Sequence, residues 1–546
     1  MFNGADLLVS ELKRRGVTWV STLCGNGLNP FFVSCKKAGI RLIDTRNEQA
    51  AAYMADAYAR LTGQVGVCAV SSGVAHSGAL TGIANAFFDG SPVLLITGAS
   101  AGYGAGRGAF QEYDQVALAA PICKYARCIY RASDISFCVG QAFASAVSGR
   151  PGPVHLTIPL DVLESEIEAP TMPGHNSGTM DSVAEPLPPD HLAQAVAMVE
   201  QSRKPLLIAG SGVFYGKGQH SLVKFSEKAM IPMVTPIWDR GVIDTPQPNF
   251  LGVIGAASGE PGLLEDADLI ILAGARVDYR IGYLRPPKVS ESTRIIRIDR
   301  DVCQLDQGVA PALGIAGDLP SVFDLLAKAI SDSGVSRHAG WLKEARERAG
   351  LFQSRWQGAP QALMSGWHIM QVIEPFLDGE ITLLIDGGNI GQWAHMRLAT
   401  NRYPSSWLTC GASGVVGWGL PGAMAARLAH PDKPVLLVSG DGSFGFTTTE
   451  LESAVRQKLP FVAVVANDKT WGIAASVQYH RYGDEGIIAT RLGSIHFDKI
   501  AEACGAQGRQ ANNPQELTRA IQQGFSADVP VVIDVPTAPL APMDIT

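Results

Sequence analysis

The sequence predicts an α/β protein of three domains, each with a mainly parallel sheet flanked by helices. Three observations carry this. Segments of helical periodicity alternate with short apolar runs, the pattern that crossover connections between parallel strands require. The 59 glycines cluster at the ends of those runs and form no low-complexity tract. The length of 546 residues, at roughly 150 residues per domain, allows two to four full-sized cores.

The elements follow in order. GADLLVSELKRRG is amphipathic, VTWVSTL is strand-like, NEQAAAYMADAYARLTG is helical, and VGVCAVSSG and PVLLITGA are apolar runs closed by small residues. These make a first domain over 1–166. The stretch 167–189 is polar and rich in Pro and Gly, the composition of a linker. A second cycle, with KPLLIAGSG, IPMVTPI, ADLIILAGA and TRIIRIDRD, makes a central domain over 190–332. The polar helical stretch within 333–365 leads, as a second linker, to a third domain over 366–546, with TLLIDGGN, WLTCGASG, PVLLVSGDG, LPFVAVVAND and VPVVIDV. No residue-level repeat relates the first domain to the third.

Composition narrows the function. Only 17% of residues are charged, against about 25% in an average soluble chain, so much surface is expected to be hidden between subunits. The net charge of −7 and the lack of a basic stripe argue against a nucleic-acid partner. The nine cysteines lack a CxxC pair or repeated spacing, so they read as reduced thiols of a cytoplasmic protein. No apolar run reaches the roughly 18 residues of a membrane span, and the start MFNGADLLVSEL is not a secretory signal.

In open parallel sheets, ligands bind beyond the carboxyl ends of the strands. PVLLVSGDGSFG runs into Gly440, Asp441, Gly442 and Ser443, where glycine permits close backbone approach and a carboxylate could hold a divalent cation against a diphosphate. A second strand end, LPFVAVVANDKTWG, brings Asp468 27 positions later, with the Thr470 carbonyl two residues on. Two carboxylates, a carbonyl, two diphosphate oxygens and a water would complete an octahedral Mg²⁺ site.

The glycine-aspartate-glycine turn, the 27-residue interval and the ND pair followed by Gly472 resemble the magnesium and diphosphate motif of thiamine diphosphate enzymes. The resemblance spans nearly the whole chain and is closest to the acetolactate synthase, benzaldehyde lyase and 2-hydroxyacyl-CoA lyase group. It implies a pyrimidine-binding, a central and a diphosphate-binding domain, in that order. LIDTRNEQAAAYMADAYAR resembles the segment with the catalytic glutamate, which falls on Glu48. FQEYDQ places the active-site phenylalanine and glutamine on Phe110 and Gln111. In DGGNIGQW, Asn389 and Ile390 could offer backbone amides to the diphosphate, and Gly472 and Ile473 extend the same cofactor-binding set. In CGASGVVGWG, the Gly414 carbonyl is implied to accept from the cofactor's amino group, and Val416 to be the wedge between its two rings. Gly27, Cys410, Trp471 and Ala474 would shape the substrate side.

The cofactor supplies the hard chemistry, while the protein supplies orientation and electrostatics. Burial raises a carboxyl pKa, which would let a glutamate such as Glu48 share a proton with the pyrimidine ring. Departures from the group sharpen the reading. Asp468 stands where many relatives have asparagine, and Gly78 where they have a cofactor-facing asparagine. Two histidines of benzaldehyde lyase fall on Gly27 and Cys410, so proton transfer would rely on Gln111, the cofactor's amino group or water. His76 reads as structural, and Lys124 suits a solvated surface as well as an active site.

The resemblance therefore implies a thiamine diphosphate- and Mg²⁺-dependent lyase or carboligase, acting next to a carbonyl on a 2-oxo acid, an aldehyde or a 2-hydroxyacyl-CoA. A homodimer or homotetramer is implied, with Glu48 of one chain facing the diphosphate domain of another. The alternatives are a 2-oxo acid decarboxylase and a non-catalytic thiamine diphosphate-binding homologue. GSGVFYGKG and AGARVDYRIGYLRPPK leave a central site for FAD or coenzyme A open.

Overall fold

Three six-stranded parallel sheets follow one another along the chain. They are seen in a computed structural model that describes residues 2–168, 187–355, 363–378 and 380–538. The first contains β1 (Trp19–Leu23), β2 (Arg41–Asp44), β3 (Gly66–Val70), β4 (Val93–Ala99), β5 (Tyr125–Cys128) and β6 (Val154–Pro159), in the order β2-β1-β3-β4-β6-β5. The second contains β7 (Pro205–Ala209), β8 (Met233–Pro236), β9 (Phe250–Ile254), β10 (Leu269–Ala273), β11 (Arg294–Asp299) and β12 (Leu313–Ala316), in the order β12-β11-β10-β7-β8-β9. The third contains β13 (Thr382–Asp386), β14 (Trp407–Thr409), β15 (Val435–Gly440), β16 (Val462–Asn467), β17 (Gln507–Gln510) and β18 (Val531–Pro536), in the order β14-β13-β15-β16-β18-β17. The first and third sheets thus share one topology without a repeat at the level of residues. Helices cover the sheets, so the central strands are buried along their length and read as continuous apolar runs.

The expected linker 167–189 lies mostly outside the described residues. The stretch 333–365, read from sequence as a second linker, holds the helix His338–Ser354. Its Trp341, Ala345 and Ala349 enter the core of the central domain with Leu206, Ile208 and Ile270, so this helix belongs to that domain. Among the described residues, no helix is long and apolar enough to cross a membrane.

The first and third domains meet through two helices of small residues. Glu48–Thr62 starts at an Asn47 side chain that accepts from the Ala50 N–H, and ends at Gly63 in the left-handed conformation. Gly419–Ala429 buries Gly422, Ala423, Ala425 and Ala426. Tyr53, Met54 and Ala57 of the first helix share one core with Trp418, Ala423 and Met424. The Trp418 indole donates to Asp56 Oδ2 at 2.9 Å, and Arg60 Nη1 donates to the Thr409 carbonyl at 2.8 Å.

Candidate cofactor and metal site

The strand order of the third sheet places its topological switch point between β13 and β15, whose connections leave in opposite directions. Ligand crevices in open parallel sheets form at such a point. A cavity of about 240 Å³ opens there. Gly387, Gly388, Asn389 and Ile390 line it from the end of β13, Gly440 to Ser443 from β15, and Asp468 and Thr470 to Ala474 from β16. Val416 completes the predicted wall.

Local conformation explains the glycines. Gly387 has φ +113°, and a Cβ there would meet the Gly440 backbone nitrogen at 2.9 Å, so the two strand ends touch. A Cβ on Gly442 would stand 2.7 Å from the Trp471 ring. Trp471 is fixed in turn by an edge-to-face contact with Phe446, ring centroids 5.9 Å apart, and by its N–H donating to the Thr490 carbonyl at 2.8 Å. The Lys469 carbonyl accepts from the Leu492 N–H at 2.7 Å and Thr470 Oγ1 donates to Thr490 at 3.0 Å, which fixes the Thr470 peptide.

Two carboxylates converge on this cavity. Asp441 is only 5% exposed. Burial first, and then the neighbouring Asp468, push its carboxyl up to about 7. Burial likewise pushes Asp468 up to about 6, against the Asn389 amide, which donates to Oδ2 at 3.1 Å, and the Thr470 N–H, which donates to Oδ1 at 3.0 Å. Two neighbouring acids whose carboxyls are both raised by burial, Asp441 further by the charge of Asp468, are suited to share a divalent cation. Asn389 Oδ1 is buried without a hydrogen-bond partner among the described residues, so polar capacity is left over at the same wall. The donor set, with glycine backbone beside it, fits Mg²⁺ bound to a diphosphate.

The first-domain candidates lie elsewhere. Glu48, Phe110, Gln111 and Gly27 do not line this cavity; they gather at the carboxyl edge of the first sheet. A Cβ on Gly78 would stand 3.0 Å from Glu48 Oε2, so glycine at this position leaves the carboxylate room. Ser72 Oγ donates to Gln111 Oε1 at 3.3 Å, and Gln111 adopts φ +56° against Gly73. A Cβ on Gly27 would meet Ala99 backbone at 3.2 Å. Phe110 is 65% exposed and Val74 is 67% exposed, an apolar rim beside this edge. Cys410 and Gly414 also fall outside the cavity wall. Cys410 is buried, which raises its thiol pKa.

Sequence reasoning passed over Gly366, Trp393, Ala466 and Thr537, which also line the cavity. Trp393 stood at the end of the DGGNIGQW segment. A Cβ on Gly366 would strike its ring at 2.1 Å. Thr537 is delivered by the end of β18 and pairs with Met364, a long-range contact with no local signal. His76, read from sequence as structural, lies outside the cavity. It is buried, its Nδ1 meets Tyr113 Oη at 2.8 Å, and its ring stacks on His155 at 4.8 Å. Burial lowers its pKa to about 4. Lys124 Nζ is tied to the Arg150 carbonyl at 2.8 Å.

A second crevice lies where the central domain meets the first. Arg150, Gly212, Gly274, Arg276, Asp299 and Arg300 line it at the ends of β7, β10 and β11. Arg276 donates to the Phe88 carbonyl at 3.2 Å and Arg300 to the Tyr215 carbonyl at 3.2 Å. Burial pushes Asp299 up to about 6.

Comparison with known proteins agrees with this geometry. Residues 2–118 match the family model described as thiamine pyrophosphate enzyme, N-terminal TPP binding domain. Residues 192–326 match the central domain of that family, and residues 386–535 its C-terminal TPP binding domain. A probable acetolactate synthase of Mycobacterium bovis is 30% identical, over 98% of this chain and 95% of its own. A 2-hydroxyacyl-CoA lyase 2 of Bos taurus is 30% identical, over 98% of this chain and 90% of its own. A probable acetolactate synthase large subunit of Methanococcus aeolicus is 28% identical, over 97% of this chain and 91% of its own.

Proposed function

Because this chain belongs to the thiamine pyrophosphate enzyme family, we propose that it is a thiamine diphosphate- and Mg²⁺-dependent enzyme making or breaking a carbon–carbon bond next to a carbonyl. The observation that carries the reading is the convergence of Asp441 and Asp468 on a glycine-lined cavity at the switch point of the third sheet. Full-length similarity at the same identity to a synthase and to an acyl-CoA lyase supports both directions of bond chemistry.

In this reading Asp441, Asp468 and the Thr470 carbonyl hold the metal. Gly440, Gly442, Ser443, Asn389, Ile390, Gly472 and Ile473 would cradle the diphosphate, and Val416 would pack against the cofactor's rings. Bound thiamine diphosphate supplies a nucleophilic carbon next to the substrate carbonyl. Glu48 holds a proton at the pyrimidine nitrogen, and Gln111 donates to a developing oxygen. Trp471, Ala474, Phe110, Gly27 and Cys410 bound the substrate and exclude water.

Glu48, Phe110 and Gln111 lie outside the cavity lining, so the reading requires a second copy of the chain, whose first domain covers this cavity. The exposed Val74 and Phe110 suit burial in that interface. The central crevice brings together three arginines, glycine at two strand ends and a carboxylate at a third around a cavity of about 20 Å³, so it would have to widen to take the nucleotide of FAD or coenzyme A.

The test is product analysis on protein loaded with thiamine diphosphate and Mg²⁺. Pyruvate, aromatic 2-oxo acids and 2-hydroxyacyl-CoA are supplied separately, with and without an acceptor aldehyde. Ligated or cleaved carbon–carbon products support the reading. Free aldehyde and carbon dioxide released without an acceptor identify a decarboxylase instead. Cofactor uptake with no product from any donor identifies a non-catalytic homologue.

A further inference from the structure

Behind the cavity, on the far side of Asn467, three ligand-type side chains meet that the proposed reaction does not use. One ligand atom from each of His496, Asp498 and Asp534 lies within 4.8 Å of the other two. His496 is exposed, whereas Asp498 is 5% and Asp534 2% exposed. We propose that these three residues bind a divalent transition-metal cation, separate from the Mg²⁺ of the diphosphate site.

The hydrogen bonds at the cluster leave an acceptor over. Asp534 is satisfied on both oxygens, Oδ1 by the Asn467 amide at 2.9 Å and Oδ2 by the Phe497 N–H at 3.1 Å. Each of those oxygens retains a second lone pair. Asp498 Oδ1 is buried and has no hydrogen-bond partner among the described residues. Its Oδ2 is 3.8 Å from the ammonium of Lys499, whose side chain is 66% exposed. A buried carboxylate oxygen without a partner is costly, and in native proteins such a group calls for an ion or a proton to be shared.

The donor chemistry selects the cation. One imidazole with two carboxylates is a mixed nitrogen and oxygen set, which suits Zn²⁺, Fe²⁺ or Mn²⁺ better than the all-oxygen preference of Mg²⁺ or Ca²⁺. Tetrahedral ligands at about 2.1 Å from one ion stand about 3.4 Å apart, so atoms separated by up to 4.8 Å close by as much as about 1.4 Å on binding. Exposed His496 supplies the solvent side, and water completes the shell. The role is structural: the ion ties the turn at His496 to β18, and Asn467, which bonds both Asp534 and the Ile495 carbonyl, directly precedes Asp468. The inference rests on the fold and not on the proposed reaction.

The test uses the full chain, stripped with a chelator and then saturated with thiamine diphosphate and excess Mg²⁺. Zn²⁺ is titrated against a chromophoric chelator, and Co²⁺ is followed by its visible absorption. One saturable equivalent is expected, weakened at least tenfold in His496→Ala and in Asp498→Asn, with thiamine diphosphate uptake unchanged in both variants. Absence of a saturable equivalent in the Mg²⁺-loaded protein would overturn the proposal and leave the two carboxyls sharing a proton. Equal affinity in parent and His496→Ala would overturn it too, by locating the metal elsewhere. Should Asp498→Asn fail to fold, His496→Ala, altered only at an exposed residue, decides alone.

Discussion

The Glu450 carboxylate of the third domain accepts the Arg46 backbone N–H, at 2.8 Å on Oε1 and 3.0 Å on Oε2, and so holds the turn that leads into Glu48. Glu450 is fully buried, and burial pushes its carboxyl up to about 7, against the Arg46 and Asn47 N–H groups that pull it down. In an unfolded chain a glutamate titrates near 4.3. Between these values the folded state holds the extra proton, so this group's contribution to stability falls as pH rises and is flat above about 7. Glu450→Gln cannot ionise and escapes the penalty. Its stability relative to the parent should improve by about 3 kcal/mol between pH 4.5 and 8. Urea unfolding of both proteins across that range checks this; a difference independent of pH refutes the raised carboxyl.

Arg60 ties the same two domains together from within. Its guanidinium stands 3.1 Å from Asp89 and 3.7 Å from Asp56, over the Trp418 ring, and is 2% exposed. Asp89 also accepts the Ala412 N–H at 2.8 Å, which fixes the loop after Cys410. Arg60→Met would leave two buried carboxylates without their cation, at a cost of about 3–5 kcal/mol. Chemical denaturation followed by tryptophan fluorescence reads this, and a loss below about 1 kcal/mol would show that the pair is dispensable.

These two contacts mark what the sequence conceals. The cavity-lining residues at the ends of β15 and β16 were legible because each set is a contiguous turn: Gly440 to Ser443 and Asp468 to Ala474 lie in a few adjacent positions at the end of an apolar strand. The Arg60 cluster draws on Asp56, Asp89, Thr409 and Trp418, and nothing local announces that pairing. Thr537 and Gly366 reach the cavity in the same long-range way. The shared strand order of the first and third sheets was hidden for a different reason. Burial pattern sets topology, and many apolar residues satisfy it, so two sheets can agree without similar residues. The helix His338–Ser354 looked like a linker because its polar residues outnumber the few, chiefly Trp341, that anchor it.

Gly442 offers a graded test of the cradle. A Cβ at this position meets the Trp471 ring at 2.7 Å, whereas one at Gly445 meets nothing within 4 Å. Gly442→Ala must displace the indole or the turn, an overpacking cost of roughly 1–3 kcal/mol. Thiamine diphosphate affinity should fall by about five- to hundredfold, since 1.4 kcal/mol is one decade. Quenching of tryptophan fluorescence during a cofactor titration measures it, with Gly445→Ala as the control that stays unchanged. Equal affinities in the two variants would remove the diphosphate from this turn.

Glu48 lies outside the cavity that holds Asp441 and Asp468, and this separation makes the two-chain site testable by mixing. Glu48→Gln alone should retain cofactor binding and lose turnover by roughly 10²–10⁴-fold, the range for removing an acid–base group. Asp441→Ala alone should lose metal-dependent cofactor binding. In a two-fold dimer whose sites each use Glu48 from one chain and Asp441 from the other, a mixed pair carries both lesions in one site and neither in the second. Co-expressed or co-refolded in equal amounts, the two inactive variants should recover about a quarter of the parent activity, since half of the random dimers are mixed and each has one intact site. If each site drew both residues from the same chain, no intact site could form and the mixture would stay as inactive as its parts.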